Sequence, residues 1–307
     1  LFEVTAMRIA ELGTPFAEKT VVALGFFDSI HIGHRDIIAK TIGKARDNGC
    51  QSVLFTFSNN PAEFFGSSNK LIYTFEERCD IIAELGMDVA AFARFDENFR
   101  DISPLEFMRL LLSLNPVCLV CGFDYSFGKG AEGKPETLRD FFLPQSIGVE
   151  IVEEIKDGFG KIGTTRIKGL LSEGKAEQAA VLLGEAYRME GVVMHGYGVG
   201  NSRLGFPTAN LSVPKEKHPL KSGVYAGRAK VDDNVFRAII NMGCRPTFDD
   251  DEIKAEAFLL DFDGNLYGKK ITLFFDSFLR ETKKFDNAEC LKAQLEADRK
   301  EALRRIK

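Results

Sequence analysis

The fold turns on one stretch, Val21-Val-Ala-Leu-Gly-Phe-Phe-Asp-Ser-Ile-His-Ile-Gly-His34. Its first half, Val21–Phe27, is an apolar run of the length and composition of a strand buried on both faces. A short turn follows. From His34 to Asn48, Ile38, Ile42 and Ala45 recur at helical spacing, and Gly49 is placed to end the helix. A helix start offers unpaired N–H groups and the positive end of the macrodipole, so phosphate binds there readily. His31 and His34 add two imidazole donors at the same junction, and Gly33 lets the backbone approach closely. Such a site suits a reaction in which charge builds on a phosphoryl group as a second phosphate leaves.

Working outward, further strands are expected at Ser52–Phe57, Asp88–Phe95, Val117–Gly122 and Val149–Glu154. Helices are expected at Phe75–Leu85 and Pro104–Leu114, the second with Ser103 as its cap and Pro104 in its first turn. Strand and helix in alternation imply a parallel sheet covered on both faces, with ligands at the carboxyl ends of its strands. After about residue 184 the rhythm changes. Tyr187–His195, Gly223–Val231, Val235–Asn241, Ala255–Asp261 and Lys270–Ser277 read as strands without intervening helices, the pattern of an antiparallel barrel or sandwich. One helix closes the chain. Asp286-Asn-Ala-Glu289 reads as its capping box with Asp286 in the cap position, followed by Leu291, Leu295 and Ala302 on one face. The expected domains are residues 1–184 and 185–307.

Composition sets the outer limits. Among 307 residues, 45% are hydrophobic and 28% charged, with 27 Phe and no Trp, which suits two packed cores and excludes disordered or low-complexity classes. A net charge of -5 argues against a general nucleic-acid binder while leaving room for a locally cationic pocket. No apolar run approaches a membrane span and no cationic stretch precedes an apolar one, so a cytoplasmic protein with neither nucleic-acid nor membrane partner is expected; oligomeric state is not legible. Cys118 and Cys121 form C-x-x-C, but three residues apart on a strand they point to opposite faces and read as small buried hydrophobes. A zinc site at the two histidines would need further ligands, and only Asp28 lies close in sequence. Gly128-Lys-Gly-Ala-Glu-Gly133 matches G-x-G-x-x-G, and Gly128–Lys134 lacks only the last residue of a phosphate-binding loop, where Pro135 stands. It starts several residues after its strand and reads as a flexible loop.

A second dense signal is Gly198-Val-Gly-Asn-Ser-Arg-Leu-Gly-Phe-Pro-Thr-Ala-Asn210. Its glycines allow a backbone folded over phosphates, and Thr208 and Asn210 place a hydroxyl and an amide on one strand face, suited to Mg²⁺. A Gly-rich hairpin with an incidental Thr is the other reading.

The H-x-G-H that follows an F-D turn resembles the nucleotidyltransferase superfamily. Cys121-Gly-Phe-Asp-Tyr-Ser-Phe-Gly-Lys-Gly130 and Lys161-Ile-Gly-Thr-Thr-Arg-Ile-Lys168 are similar to segments of the bacterial bifunctional riboflavin kinase/FAD synthetase family. So, in order, are Pro207-Thr-Ala-Asn210, Gly223-Val-Tyr-Ala226, Asn241-Met-Gly-Cys-Arg-Pro-Thr247, Glu256 ahead of Leu259-Leu-Asp261, and Leu266-Tyr-Gly268. The resemblance implies α/β plus β: a Rossmann-like nucleotidyltransferase domain with a parallel sheet, then an antiparallel β-barrel with a closing helix. It implies phosphorylation of riboflavin to FMN by ATP, then adenylylation of FMN to FAD with loss of pyrophosphate, with Mg²⁺ as cofactor. His31 and His34 would act at the α-phosphate, and Gly25, Phe27, Asp28, Gly33, Thr165, Arg166 and Lys168 would bind that ATP. Gly198, Gly205, Pro207, Thr208 and Asn210 would bind the kinase ATP, with Thr208 and Asn210 also holding Mg²⁺. Glu256 would be general base. Asn60, Asp124, Arg245, Arg280 and Phe285 would contact flavin, although Asn60 reads equally as a turn-forming residue.

Three departures stand out. Ser29 replaces a usual Gly and would strain the turn if its φ were positive. Ser126 replaces a usual Arg. Lys168 replaces a second Arg, keeping charge without the bidentate fork. Two rivals stay open: a nucleotidyltransferase for another phosphorylated alcohol whose barrel binds a regulator, and, motivated by these three departures, a flavin-binding or flavin-sensing protein with degenerate sites.

Overall fold

The structure is a computed structural model and describes residues 7–194, 208–244, 253–285 and 287–306. Contacts divide the chain into Leu1–Thr164 and Thr165–Lys307, upstream of the boundary expected from sequence, because the two helices after Thr164 group with the barrel.

The first unit carries strands β1 (Arg8–Glu11), β2 (Thr20–Leu24), β3 (Gln51–Phe57), β4 (Val89–Ala93), β5 (Pro116–Gly122) and β6 (Gly148–Val152), with helices α1 (Ile32–Asp47), α2 (Pro61–Phe64), α3 (Phe75–Glu84), α4 (Glu97–Asp101), α5 (Pro104–Leu111) and α6 (Pro135–Phe142) between them. The six strands are parallel in the order β1-β4-β3-β2-β5-β6. From β2 the chain steps outward through β3 and β4 on one side and through β5 and β6 on the other. The β2–β5 seam is thus the topological switch point, where strand ends splay and a ligand crevice opens. Every residue of β2 is buried, as a central strand covered on both faces requires. The strand stops at Leu24, short of the expected Phe27, because Phe27 turns left-handed at φ 55°. Val22, Leu24, Phe55, Phe107, Leu119 and Phe142 belong to one core cluster. Capping boxes start α3 (Thr74 with Glu77) and α5 (Ser103 with Glu106), the latter with the expected Pro104.

Cys118 is half-buried and Cys121 buried, and burial pushes the Cys121 thiol up to about 12, so both act as apolar residues. Among the described residues no His/Cys/Asp/Glu group could hold a metal ion. Residues 128–133 form the expected loop, closed at its base by paired Phe127 and Gly133 N–H···O bonds of 3.1 and 2.9 Å. A small hairpin, β7 (Lys156–Asp157) with β8 (Gly160–Lys161), ends the unit.

The second unit begins within α7 (Thr164–Ser172), continues with α8 (Ala176–Leu183) and then winds an antiparallel sheet. Its strands are β9 (Tyr187–Val192), β10 (Thr208–Ser212), β11 (Gly223–Val231), β12 (Asn234–Cys244), β13 (Ile253–Leu259) and β14 (Lys270–Arg280), in the order β10-β13-β12-β11-β14-β9. Met194 N donates to Asn210 O at 2.9 Å, bringing the two edge strands together and making a barrel rather than a sandwich. Helix α9 (Ala288–Arg305) packs on β11, β12 and β14, burying Ala302 and Ile306 with Val224, Ala226, Ile239 and Leu260. Its cap is Asn287, whose side chain accepts from Cys290 N at 2.9 Å, and not Asp286, which lies outside the described residues. Asn at this position satisfies an orphan N–H as well as Asp does. No described helix is long and apolar enough to cross a membrane.

Candidate active sites

In the first unit the turn between β2 and α1 is held from all sides. Phe27 and Ile30 both have left-handed φ, 55° and 42°, an arrangement costly for Phe and more so for β-branched Ile. The surroundings maintain it. Arg78, fully buried in α3, donates to Phe26 O (2.8 Å), Thr56 Oγ1 (2.7 Å) and Phe57 O (2.7 Å), tying the mouths of β2 and β3 together. Burial lowers that guanidinium to about 10, still charged at neutral pH. Asp28 Oδ1 accepts from Ile72 N at 2.8 Å. Ser29, buried, shares a 2.9 Å hydrogen bond with Thr164 Oγ1 and does not carry the positive φ, so replacing glycine there strains nothing. A Cβ on Gly25 would lie 2.8 Å from the Phe27 ring, which explains glycine at that position.

Helix α1 starts at Ile32, with His31 as its cap. The His31 Nδ1 accepts from Gly33 N (3.1 Å) and His34 N (3.2 Å). Two N–H groups expected to be open to a phosphate are therefore occupied by the imidazole itself. With Nδ1 accepting, the neutral ring carries its hydrogen on Nε2, and that N–H becomes the donor available to a ligand. The two imidazoles stack at 3.8 Å and 10°, with the Phe27 ring edge-on to His34 at 5.2 Å. Burial, with a smaller contribution from Lys161, lowers His31 to about 4; burial, His31 and Lys161 drive His34 down as well. Both rings are neutral at pH 7.

Two adjoining cavities meet at this turn and share His34, Ile37, Gly122 and Asp124. The larger, about 760 Å³, is walled by aromatic rings including Phe26, Phe27, Phe57, Phe95, Phe99 and Tyr125, with Ser126 and the 128–131 loop at its rim. The smaller, about 90 Å³, is polar and lined by His31, Gly33, Asp124, Glu153, Glu154 and Lys161. Gly25, Phe27, His31, Gly33, His34 and Asp124 are thus brought together. Asn60 is not among the lining residues: its Oδ1 caps α2 at Ala62 N (3.1 Å) and its Nδ2 donates to Asn69 O (2.7 Å), the turn-forming use. Asp28 is likewise engaged in holding the loop.

In the second unit, Asn210, Glu256 and Asn241 face one another in register across β10, β13 and β12. They line a cavity of about 310 Å³ with Ser222, Gly243, Lys254 and Thr282. Asn241 Oδ1 is buried without a hydrogen-bond partner among the described residues. Thr208 sits in β10 opposite Phe258, with its side chain outside the described residues, as are Gly198, Gly205, Pro207 and Arg245 altogether. Arg280 makes a bidentate pair with Asp298 of α9 (2.9 and 2.6 Å) and lies 6.0 Å from the Phe285 ring; neither lines the Glu256 cavity. Thr165 is exposed and Arg166 half-buried at the start of α7, and Lys168 is buried. Sequence reading missed a groove of about 490 Å³ between α9 and the β12–β13 face, floored by Ile239, Phe258 and Leu260 and rimmed by Lys292, Arg299 and Lys300. Strand alternation puts Ile239 and Phe258 on the same face as Asn241 and Glu256.

Comparison with known proteins matches residues 14–166 to the FAD synthetase family model and residues 183–306 to the riboflavin kinase model. Proteins named bifunctional riboflavin kinase/FMN adenylyltransferase are similar along their length. That of Bacillus subtilis is 33% identical over 93% of this chain and 92% of its own. That of Listeria monocytogenes is 35% identical over 91% and 90%, and that of Escherichia coli K12 30% over 92% and 91%. A solved structure described as a macrolide-efflux protein from Streptococcus pneumoniae superposes with TM-score 0.85 at 28% identity, covering 97% of this chain and 99% of that one.

Proposed function

Because the chain belongs to the bifunctional riboflavin kinase/FMN adenylyltransferase family, we propose that each of its two reactions is run by the residues gathered at one of the two sites. The protein phosphorylates riboflavin to FMN and adenylylates FMN to FAD, using ATP in both steps. We assign adenylylation to residues 1–184 and phosphorylation to residues 185–307, in the cytoplasm.

The observation that carries the first assignment is the pair of adjoining cavities. An aromatic chamber suits a planar isoalloxazine, and a small polar pocket beside it, at the start of a helix, suits phosphate. A phosphate oxygen of FMN attacks the α-phosphorus of ATP, the bond to the β-phosphate oxygen breaks, and pyrophosphate leaves. His31 and His34, neutral, donate hydrogen bonds to the phosphoryl oxygens as charge grows on them. Asp124 faces the flavin side, and Thr165, Arg166 and Lys168 serve the triphosphate. Asn60 acts by holding the α2 corner.

In the barrel, Glu256 accepts the proton of the ribityl 5′-hydroxyl as its oxygen attacks the γ-phosphorus and ADP leaves. The apolar groove under α9, on the same face, takes the flavin ring, and Arg280 and Phe285 contact the flavin. The all-oxygen donors Asn210, Glu256 and the unpartnered Asn241 Oδ1 fit a hard cation, and Mg²⁺ held by Asn210 and Thr208 would neutralise phosphate charge. The test is chromatographic separation of flavins after incubation with Mg-ATP and either riboflavin or FMN. FMN and FAD are expected from riboflavin, and FAD from FMN. Absence of both products contradicts the reading, and tight flavin binding without turnover supports a sensor instead.

A further inference from the structure

The aromatic chamber carries a charged edge that no step assigned so far uses. Besides Asp124, which it shares with the polar pocket, its charged side chains are Arg100, Asp101 and Lys129, and none of these three lines the polar pocket. They stand in a fixed order. Arg100 Nε and Nη2 donate to Asp101 Oδ1 and Oδ2 at 3.2 and 2.6 Å, and Lys129 Nζ lies 3.4 Å from Asp101 Oδ1, so the carboxylate links the two cations. Each end is anchored. The Arg100 guanidinium lies over the Phe64 ring at 5.4 Å. Lys129 N donates to Ile102 O at 2.7 Å, which holds the 128–131 loop against the end of α4. Gly128 makes that approach possible: its φ is 72°, and a Cβ there would lie 2.7 Å from Pro104 N. The hydrogen bonds from Arg100 keep the Asp101 carboxyl below the ordinary carboxylate range, so at neutral pH it is ionised and can only accept.

We propose that this group is the specificity edge of the chamber and reads the cyclic imide of the isoalloxazine, Asp101 accepting from N3–H while Arg100 and Lys129 donate to the flanking C2 and C4 carbonyl oxygens. The inference rests on the assignment of the chamber to FMN. A flavin ring has one end that hydrogen-bonds and one that does not. The imide end presents acceptor, donor, acceptor; the dimethylbenzene end presents only methyl groups and ring carbons. The protein presents donor, acceptor, donor at the charged edge, and phenyl rings such as Phe57, Phe95 and Phe99 on the walls. That complement decides which way round the ring lies. Each group keeps bonds to give: Asp101 engages only Nε and Nη2 of Arg100, and an ammonium or a carboxylate bonds several partners at once. At 40, 43 and 64% exposed, Arg100, Asp101 and Lys129 hold one another weakly, because water screens the attraction. A ring seated over them excludes that water and strengthens each bond it makes.

The test compares adenylylation of FMN with adenylylation of FMN methylated at N3. Methylation removes the donor and sets a methyl group against the Asp101 oxygens. In the parent chain kcat/KM is therefore expected to be roughly tenfold lower for the methylated substrate, the scale of a hydrogen bond to a charged group that water still partly reaches. Asp101→Ala should lower kcat/KM for FMN by roughly tenfold and leave the methylated substrate within about threefold, so that the preference disappears. A ratio of two substrates on one protein does not change if part of the variant is unfolded, and FMN formation from riboflavin, run by the other site, should continue. Arg100→Met combined with Lys129→Met takes away the carbonyl donors and not the acceptor, so both substrates should slow by roughly tenfold with the preference kept. Unchanged rates in that variant overturn the part given to the cations. Equal rates with the two substrates in the parent chain would mean that the ring lies the other way round, and overturn the proposal. So would a preference that survives in Asp101→Ala. A parent chain that makes no FAD from FMN overturns instead the assignment on which the inference rests.

Discussion

The two sites bring polar side chains together by different routes. In the parallel unit, the groups at the start of α1 come from segments far apart in the chain, and a strained turn, with left-handed Phe27 and Ile30, is held in place by Arg78, Asp28 and Ser29. In the barrel, one residue from each of three neighbouring strands falls into a row, Asn210–Glu256–Asn241, set by ladder register alone. The first arrangement depends on packing around a bend. The second depends on pairing, because shifting a strand by one residue would send its side chain to the other face. A perturbation far from the chemistry should therefore reach the first site more readily than the second.

That contrast can be tested in descending order of effect. His31→Ala with His34→Ala removes both imidazoles and should lower FAD formation by about 10³-fold or more while FMN formation continues, as measured by flavin chromatography. Parallel loss of both products would mean the sites are not separate. Glu256→Gln should cut FMN formation by roughly 10²-fold and leave FAD formation from added FMN intact. Near-normal phosphorylation would remove Glu256 from its role. Arg78→Lys keeps the charge but loses the fork that holds Phe26 O and Phe57 O together, so FAD formation should fall roughly tenfold with FMN formation unchanged. An unaffected FAD rate would show that the turn holds without it.

The smallest effect is on stability. The folded value of His31 lies below its unfolded value, about 4 against 6.5. The unfolded chain therefore binds more protons in that window, and stability falls on acidification from 6.5 toward 4, by about 1 kcal/mol per pH unit. His34 acts in the same direction. Urea midpoints of the parent chain and the double-alanine variant should converge as pH drops through this range. A constant difference would mean the imidazoles are not held neutral.

Much of this was legible in the sequence. Alternating strand and helix patterns, the H-x-G-H junction and the change of rhythm near residue 184 are local periodicities, and local periodicity survives folding. What escaped it was tertiary. The use of His31 Nδ1 as a helix cap depends on a rotamer, not on a motif. Asn60 could be read two ways because the N–H that its Oδ1 accepts from, that of Ala62, lies close by in sequence, and the carbonyl that its Nδ2 donates to, that of Asn69, does not. Arg78 did carry a signal. It lies in the apolar stripe of Phe75, Cys79 and Ile82, where a charged residue must find partners or be excluded.

If each site works without the other, two variants with opposite defects should complement one another. The most direct measurement mixes two variants: His31→Ala/His34→Ala, expected to be slow in adenylylation, and Glu256→Gln, expected to be slow in phosphorylation. Supplied with riboflavin and Mg-ATP, the mixture should make FAD far faster than either variant does alone, with FMN passing through solution from one to the other. A mixture that accumulates no FAD, while the parent chain under the same conditions does, would contradict the account.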